Sequence, residues 1–447
     1  MHTKSRTALA SFGSGRGNTM DIEFPEVVPD FDVKIRVLKN EKTLVPLGIQ
    51  TEDGSAENDE IEFEIEILKN GVDDLQIDFL HNDAVIQTYF SSKQELDEVV
   101  ITAEGSGNSS NESSGSDEDA PKNYPIGKYV VKWDGFDSNG IYDSTIFTSG
   151  KFKGHVKARS GELEKTAETK ELSFKYKEVK WVDTKIDKNT KRIDVTLRVN
   201  LKDGGAKGID CTETVVAPDP IVVKDCPWDD IPSSALITGK SPIKTRIKSY
   251  ADLEQLAVTG LNYHWGRNNN HSVAKNVDIN GEKYEVFMNA LNTTEDAMDD
   301  VSLILNTNRK WMRSGNPGTV EGLISFIGNI VSREAVCYNV GYLKYSNGWG
   351  HQDVVDEDIA FKETAAHEIG HTILKAYGGT GYSYGHKGSV NTVTQSQSAS
   401  ATAYPTSGEI DIMPYYTNWV PYNQRHKMVA AEEDVLSLIW LTKIKLK

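Results

Sequence analysis

The sequence is short of three things, and each scarcity narrows what it can encode. No apolar run approaches the roughly 20 residues that a bilayer span requires. With 38% hydrophobic and 26% charged residues the chain reads as a soluble globular protein that does not insert into membranes. Cysteine is scarce: Cys211, Cys226 and Cys337 are the full complement, and none sits in a CxxC pair. That excludes a disulfide-dense scaffold and a zinc knuckle. Cys211 and Cys226 are close enough in sequence to bridge in an oxidising compartment, the alternative being three unpaired thiols. Positive charge is the third deficit. Lys and Arg number 49 against 66 Asp and Glu, a net charge of −17, which argues against nucleic acid and anionic membrane surfaces as primary partners. The first twenty residues carry basic side chains but no apolar core of signal-peptide length. The chain is therefore expected to be made in the cytoplasm and, if exported, to leave by a route other than the standard one.

A length of 447 residues exceeds one ordinary core and predicts two or three domains. After a flexible N-terminus, 1–30, the stretch 31–205 consists of short segments in which β-branched and aromatic residues alternate with charged ones. The segments are 32–37, 60–68, 74–80, 84–90, 99–103, 128–133, 151–158, 172–179 and 192–199, and they predict an all-β sandwich region. A polar low-complexity tract, 104–123, interrupts them as an expected mobile loop. Beyond it, the WDG turn and Gly-bounded hairpin of Gly127 to Ala158 resemble bacterial immunoglobulin-like modules, which implies a spacer or adaptor rather than chemistry. Proline then clusters at Pro218, Pro220, Pro227, Pro232 and Pro242, marking 206–245 as a connection.

The remainder, 246–447, predicts an α+β domain. Ser249 with Asp252 three residues on makes a capping-box start for a helix that Gly260 would stop. Val277 to Ile279, Asn280-Gly281 and Glu282 to Met288 form a hairpin signal with a type I′ turn. Strand-like Val301 to Leu305, a helix-like 320–331 and strand-like Ala335 to Leu343 follow.

The chemistry is concentrated in His367-Glu368-Ile369-Gly370-His371, inside a helix-like run from about Asp358 to Tyr377 that Asp356 or Asp358 would cap and Gly378-Gly379 would end. Residues four apart lie one above the other on a helix, so His367 and His371 would aim two imidazoles at one point, the spacing a zinc ion needs. Glu368 would stand beside the metal, where a carboxylate can take a proton from water. A sheet followed by such a helix is the order expected of a zincin.

Two histidines do not hold a catalytic zinc, which usually takes three protein ligands. Leu374 and Tyr377 stand where a metzincin would have Gly and His, so the third ligand must come from downstream. His386, in YGHKGS, lies fifteen residues beyond His371. Glu409 and Asp411, in SGEIDIMPYY, are carboxylates within an apolar run, and such groups are expensive to bury unless paired or on a metal. That argument favours Glu409 and leaves His386 and Asp411 as alternatives. Met413 reads either as a Met-turn or as a core methionine, and Tyr415 or Tyr416 is a candidate donor to an oxyanion.

HEIGHTILKAYGG, YGHKGS, SGEIDIMPYY and VAAEEDVLSLIWL together resemble the zinc metallopeptidase toxin domain of type VI secretion spike-associated and polymorphic toxin proteins; NYHWGRN (Asn262 to Asn268) fits more loosely. The resemblance implies His367, His371 and Glu409 as zinc ligands, Glu368 as general base and His386 as a catalytic group near the transition state. It also implies an antibacterial effector that hydrolyses peptide or amide bonds in a protein or cell-wall peptide. Its expected partners are a secretion spike protein or adaptor and a cognate immunity protein, and its destination the periplasm of a target cell. Two other readings stay open: a secreted or host-directed metalloprotease with substrate-binding β modules, and a spike-associated binding protein whose zinc is structural.

Overall fold

The computed structural model describes residues 5–8, 22–25, 30–38, 43–51, 59–90, 124–216, 221–315 and 335–447. The low-complexity tract 104–123, the strand-like 99–103, the helix-like 320–331 and most of the first thirty residues lie outside them.

Alternation along the early segments builds two antiparallel sheets. Asp32–Val37, Ile61–Leu68 and Gly127–Trp133 form one. Leu163–Glu168, Phe152–Ser160, Asp74–His81 and Ala84–Phe90 form the other, in that spatial order. Every second residue of Ile61–Leu68 is buried, the strict period of a half-buried strand. The buried faces meet through aromatic rings: Phe79 stacks on Trp133 at 4.8 Å and tilts against Phe63 at 4.7 Å. A short helix, α1 (Ser144–Thr148), follows, its first turn capped by the Asp143 carboxylate.

The sheet that carries the second half is mixed and has seven strands. Its spine is Arg192–Lys207, which pairs in parallel with Glu282–Asn292 along its first half and with Asp300–Asn306 along its second. Val182–Asp187 pairs antiparallel with the spine, and Ala335–Asn339 pairs in parallel with Asp300–Asn306. The expected division at 206–245 therefore does not coincide with the division between sheets. Val182–Asp187 and Arg192–Lys207, read as part of the early β region, belong to the sheet that underlies the motif helix. The C-terminal strand Ile444–Leu446 returns to pair with Phe174–Tyr176 and Thr43–Leu44. Alternation identifies a strand but not its partner, so parallel pairing across about 100 residues left no local trace. Within 206–245 the chain forms a hairpin, Thr212–Val216 with Ile221–Asp225, closed at its foot by a Cys211–Cys226 disulfide.

Helix α2 (Tyr250–His264) starts with the expected capping box, in which Ser249 and Asp252 satisfy each other's backbone N–H groups. It does not stop at Gly260. A Cβ there would stand 2.2 Å from the Lys362 carbonyl oxygen, so the glycine serves the close approach of helix α3 (Val354–Tyr384) and not a terminus. The Asn280-Gly281 turn has both residues at positive φ, 54° and 85°, as the type I′ expectation requires. Gly341 (φ 73°) divides the predicted strand Ala335 to Leu343 into Ala335–Asn339 and Gly341–Tyr345. Asp353, rather than Asp356 or Asp358, occupies the N-cap position of α3. The side chains of Phe361, Ala365, Ile369 and Ile373, four residues apart, are buried and fasten α3 to the core. Helix α4 (Glu432–Leu441) packs against α3. Among the described residues no helix is long and apolar enough to cross a membrane.

The α2–α3 contact yields a stability prediction. Gly260→Ala forces the two backbones apart and is expected to destabilise the protein by about 1–3 kcal/mol. Gly381→Ala, whose added methyl meets nothing within 4 Å, should stay within about 0.5 kcal/mol of the parent. Thermal and denaturant melts of both variants check this, and equal midpoints would contradict the close-approach role.

Candidate metal centre

Three imidazoles converge beside α3. The ligand-capable atoms of His367, His371 and His386 all lie within 4.8 Å of one another, and all three residues are buried. His367 and His371 come from consecutive turns of the helix, as their spacing predicts. His386 arrives by a different device. Gly379 (φ 80°, ψ 176°) breaks α3 at the expected stop, and one further turn folds back over the helix end. His386 and Lys387 then take left-handed backbone conformations, φ 47° and 55°. Such consecutive non-glycine residues are held only where the surroundings fix them. Here the Lys387 ammonium, buried between Asp411 (2.7 Å), Glu433 (2.8 Å) and Asp434 (3.2 Å), does so. Burial alone would lower its pKa, but the carboxylates of Asp434 and Asp411 raise it and keep it charged.

Each imidazole has its Nδ1 proton committed to the chain itself. His367 Nδ1 donates to the Ile412 carbonyl (2.8 Å) and His386 Nδ1 to the Tyr384 carbonyl (3.0 Å). Ser383 donates its only hydroxyl proton to the His371 carbonyl (2.7 Å), so its oxygen can only accept from His371 Nδ1 (3.1 Å). All three rings therefore present Nε2 as a lone pair. The Nε2 atoms of His367 and His386 are buried without a hydrogen-bond partner. Fixing the tautomer through the far nitrogen is how metal-binding histidines are oriented. Burial, followed by the mutual repulsion of the cluster, lowers His371 well below the usual imidazole range, and burial and His367 lower His386 to about 3. His371 and His386 stay neutral at physiological pH, the form that binds a cation, and the three-imidazole set can hold a metal ion.

The expected third ligand is elsewhere. Glu409 receives Arg267 Nη2 at 2.8 Å, while Arg267, itself buried, donates its other N–H groups to the Ala430 and Asn276 carbonyls. Asp411 accepts from Lys387 and from the Met413 backbone N–H. Both carboxylates of the apolar run are thus stabilised by cations rather than by a metal. The residue that joins His367 and His371 in the cluster is His386, the alternative to Glu409.

The IDIM segment has another task. Ile412 supplies the carbonyl for His367, and Met413 lies beneath the helix, where a Cβ on Gly370 would come within 2.6 Å of its Sδ and 2.9 Å of Trp265 Cζ2. Trp265 also donates to the Ala366 carbonyl (3.1 Å), which ties the NYHWGRN segment to the motif. Tyr416 donates to the Asp411 carbonyl and is occupied there. Tyr415 packs its ring on His386, centroids 4.0 Å apart, and its oxygen accepts from Arg313 Nη2 at 3.3 Å. Burial, and then the charge of Glu368, raises the Tyr415 pKa, so it remains a protonated donor.

His367, Glu368 and Tyr415 border a cleft of about 550 Å³. It extends along α3 to Glu357, ten residues or about 15 Å of helix from His367. Burial raises the Glu357 carboxyl to about 8, against the opposing hydrogen bond from the Asn339 backbone N–H. Ser383, Arg313 and Glu357 were not singled out from sequence. Ser383 is legible only once the helix is known to break and fold back at Gly379, and neither of the others belongs to a motif. Comparison with known proteins found no matching family model, no matching curated protein and no matching solved structure.

Metal analysis separates the two ligand sets. His367→Ala, His371→Ala and His386→Ala proteins should each lose stoichiometric zinc, whereas Glu409→Gln should keep it. Ser383→Ala, which frees the His371 ring, should weaken affinity about 10- to 100-fold. Zinc retained by His386→Ala and lost from Glu409→Gln would restore the carboxylate as ligand.

Proposed function

We propose that the chain is a zinc-dependent metallopeptidase whose ligands are His367, His371 and His386. The observation that carries this reading is the convergence of three buried imidazoles, two of them with an unpartnered Nε2, in a cluster whose His367 stands with Glu368 at the wall of an open cleft. A nitrogen-only set of three imidazoles suits zinc, which in hydrolytic sites takes three protein ligands and keeps a fourth position open. When bound, zinc would act as a Lewis acid on the scissile carbonyl and make water acidic enough to lose a proton near neutral pH. Glu368 is the general base: it follows a ligand by one residue, borders the cleft and takes the proton from the attacking water before passing it to the leaving amine. Tyr415 donates its phenol proton to the carbonyl oxygen as negative charge develops, with Arg313 holding the phenol in place.

The finer architectural assignment belongs to this proposal. The motif helix lying on a mixed sheet supports a zincin-like domain, and the two aromatic-packed antiparallel sheets support an immunoglobulin-like adaptor. The Cys211–Cys226 disulfide supports a working place outside the reducing cytoplasm. The resemblance to spike-associated toxin domains points to the periplasm of a target cell, with an immunity protein in the producer.

Hydrolysis of a fluorogenic peptide library tests the mechanism. Glu368→Gln should lower the rate about 100- to 10,000-fold while zinc content and melting temperature stay at parental values. Tyr415→Phe should lower kcat about 100-fold with little change in KM. Full activity in Glu368→Gln would refute the reading. Expression with and without a periplasmic export signal tests the destination: only the exported parent should arrest growth.

A further inference from the structure

We propose that the rim of the cleft is a saccharide subsite, so that the substrate is a peptide carrying sugar rings. The inference rests on the reading of the cleft as a peptidase site and adds the substrate class. Among the described residues, Trp419 (60% exposed) and Trp311 (42%) are the tryptophans open to solvent, and both line this cleft. Tyr345, 38% exposed, lines it as well. Large aromatic faces gathered at one place on a surface mark a binding site. Trp419 is braced for that use. The Tyr422 ring meets it edge-on at 5.1 Å, and the Arg425 guanidinium, ion-paired with Glu363 of α3, stands 5.6 Å from its centre.

Polar groups of matching chemistry lie beside these faces. Gln352 donates to the Tyr422 hydroxyl (2.6 Å), Gln397 donates to the Tyr416 carbonyl (2.6 Å), and Asn418 accepts from the Tyr404 N–H (3.1 Å). Each amide is thereby anchored by one atom, and Gln352 Oε1, Gln397 Oε1 and Asn418 Nδ2 are left to serve a ligand. A pyranose has one face of C–H groups, which suits the negative face of an aromatic ring, and a rim of hydroxyls, which suits amides. A bulky apolar side chain asks instead for an enclosed aliphatic pocket, and the larger aliphatic residues of the cleft, Ile412, Val420 and Met428, are buried, with only Ala360 and Pro414 partly exposed. A polyanion finds no surplus of positive charge here, because Arg425 is paired with Glu363 and Arg313 is offset by Glu368 in the same cleft.

The test uses the full chain and two probes. Chitotetraose, titrated calorimetrically, should bind saturably to the parent and at least tenfold more weakly to Trp419→Ala and Trp311→Ala. Trp419→Tyr should recover part of the affinity, and melting curves should show all variants folded. No binding, or binding unchanged in both alanine variants, overturns the subsite. In the second arm one peptide is supplied with and without an N-acetylglucosamine on a threonine. The parent should hydrolyse the glycosylated form at least tenfold faster in kcat/KM, and Trp419→Ala should erase that preference. Equal rates in the parent would overturn the saccharide inference and leave the peptidase intact. Chitotetraose binding with no hydrolysis of either peptide would refute the peptidase and uphold the subsite.

Discussion

Three imidazoles buried with their ligand-capable atoms within 4.8 Å of one another are the constraint on which the second half of the molecule depends. Each ring gives its Nδ1 proton to the chain, which leaves Nε2 as a lone pair, and those of His367 and His386 are buried without a partner, an arrangement that a cation would relieve. The surrounding structure holds that arrangement in place. The Ile412 carbonyl comes from one stretch and the Ser383 hydroxyl and Tyr384 carbonyl from another, and each must be delivered to within hydrogen-bond distance. The break at Gly379, the left-handed pair His386-Lys387 and the buried Lys387 ammonium are the means of delivery.

Close packing does the rest. Gly260 lets α2 touch the backbone of α3, and Gly370 lets Met413 and Trp265 lie directly under the motif turn. The helix that carries two of the three imidazoles is therefore clamped from below by side chains and at its flank by another backbone. Ligand positions on a metal tolerate errors of only a few tenths of an ångström, and a clamped helix meets that demand better than a free loop.

Much of this was legible in the residues. Spacing alone placed His367 and His371 on one helical face and Glu368 beside them, and Asn280-Gly281 specified its turn. The early alternation gave six of the seven strands of the two sheets and missed the edge strand Leu163–Glu168. Two kinds of feature were not legible. Parallel pairing of Arg192–Lys207 with Glu282–Asn292 and Asp300–Asn306 joins segments that carry no mark of each other, so an expected connection at 206–245 does not follow the division between sheets. The structure groups His386, and not Glu409, with His367 and His371, and this was not legible because a carboxylate in an apolar run demands a positive partner without saying which. Glu409 and Asp411 have Arg267 and Lys387, and neither pairing can be inferred from distance along the chain. Gly260 was misread for a related reason: a glycine near a helix end signals a stop, and only the neighbouring backbone reveals the other use.

X-ray absorption spectroscopy on zinc-loaded protein is the most direct test of the central claim, because imidazole rings scatter in a pattern that can be counted. The account predicts three imidazole nitrogens at about 2.0–2.1 Å and one lighter oxygen ligand from solvent. Two imidazoles with a protein carboxylate in the third place would contradict it.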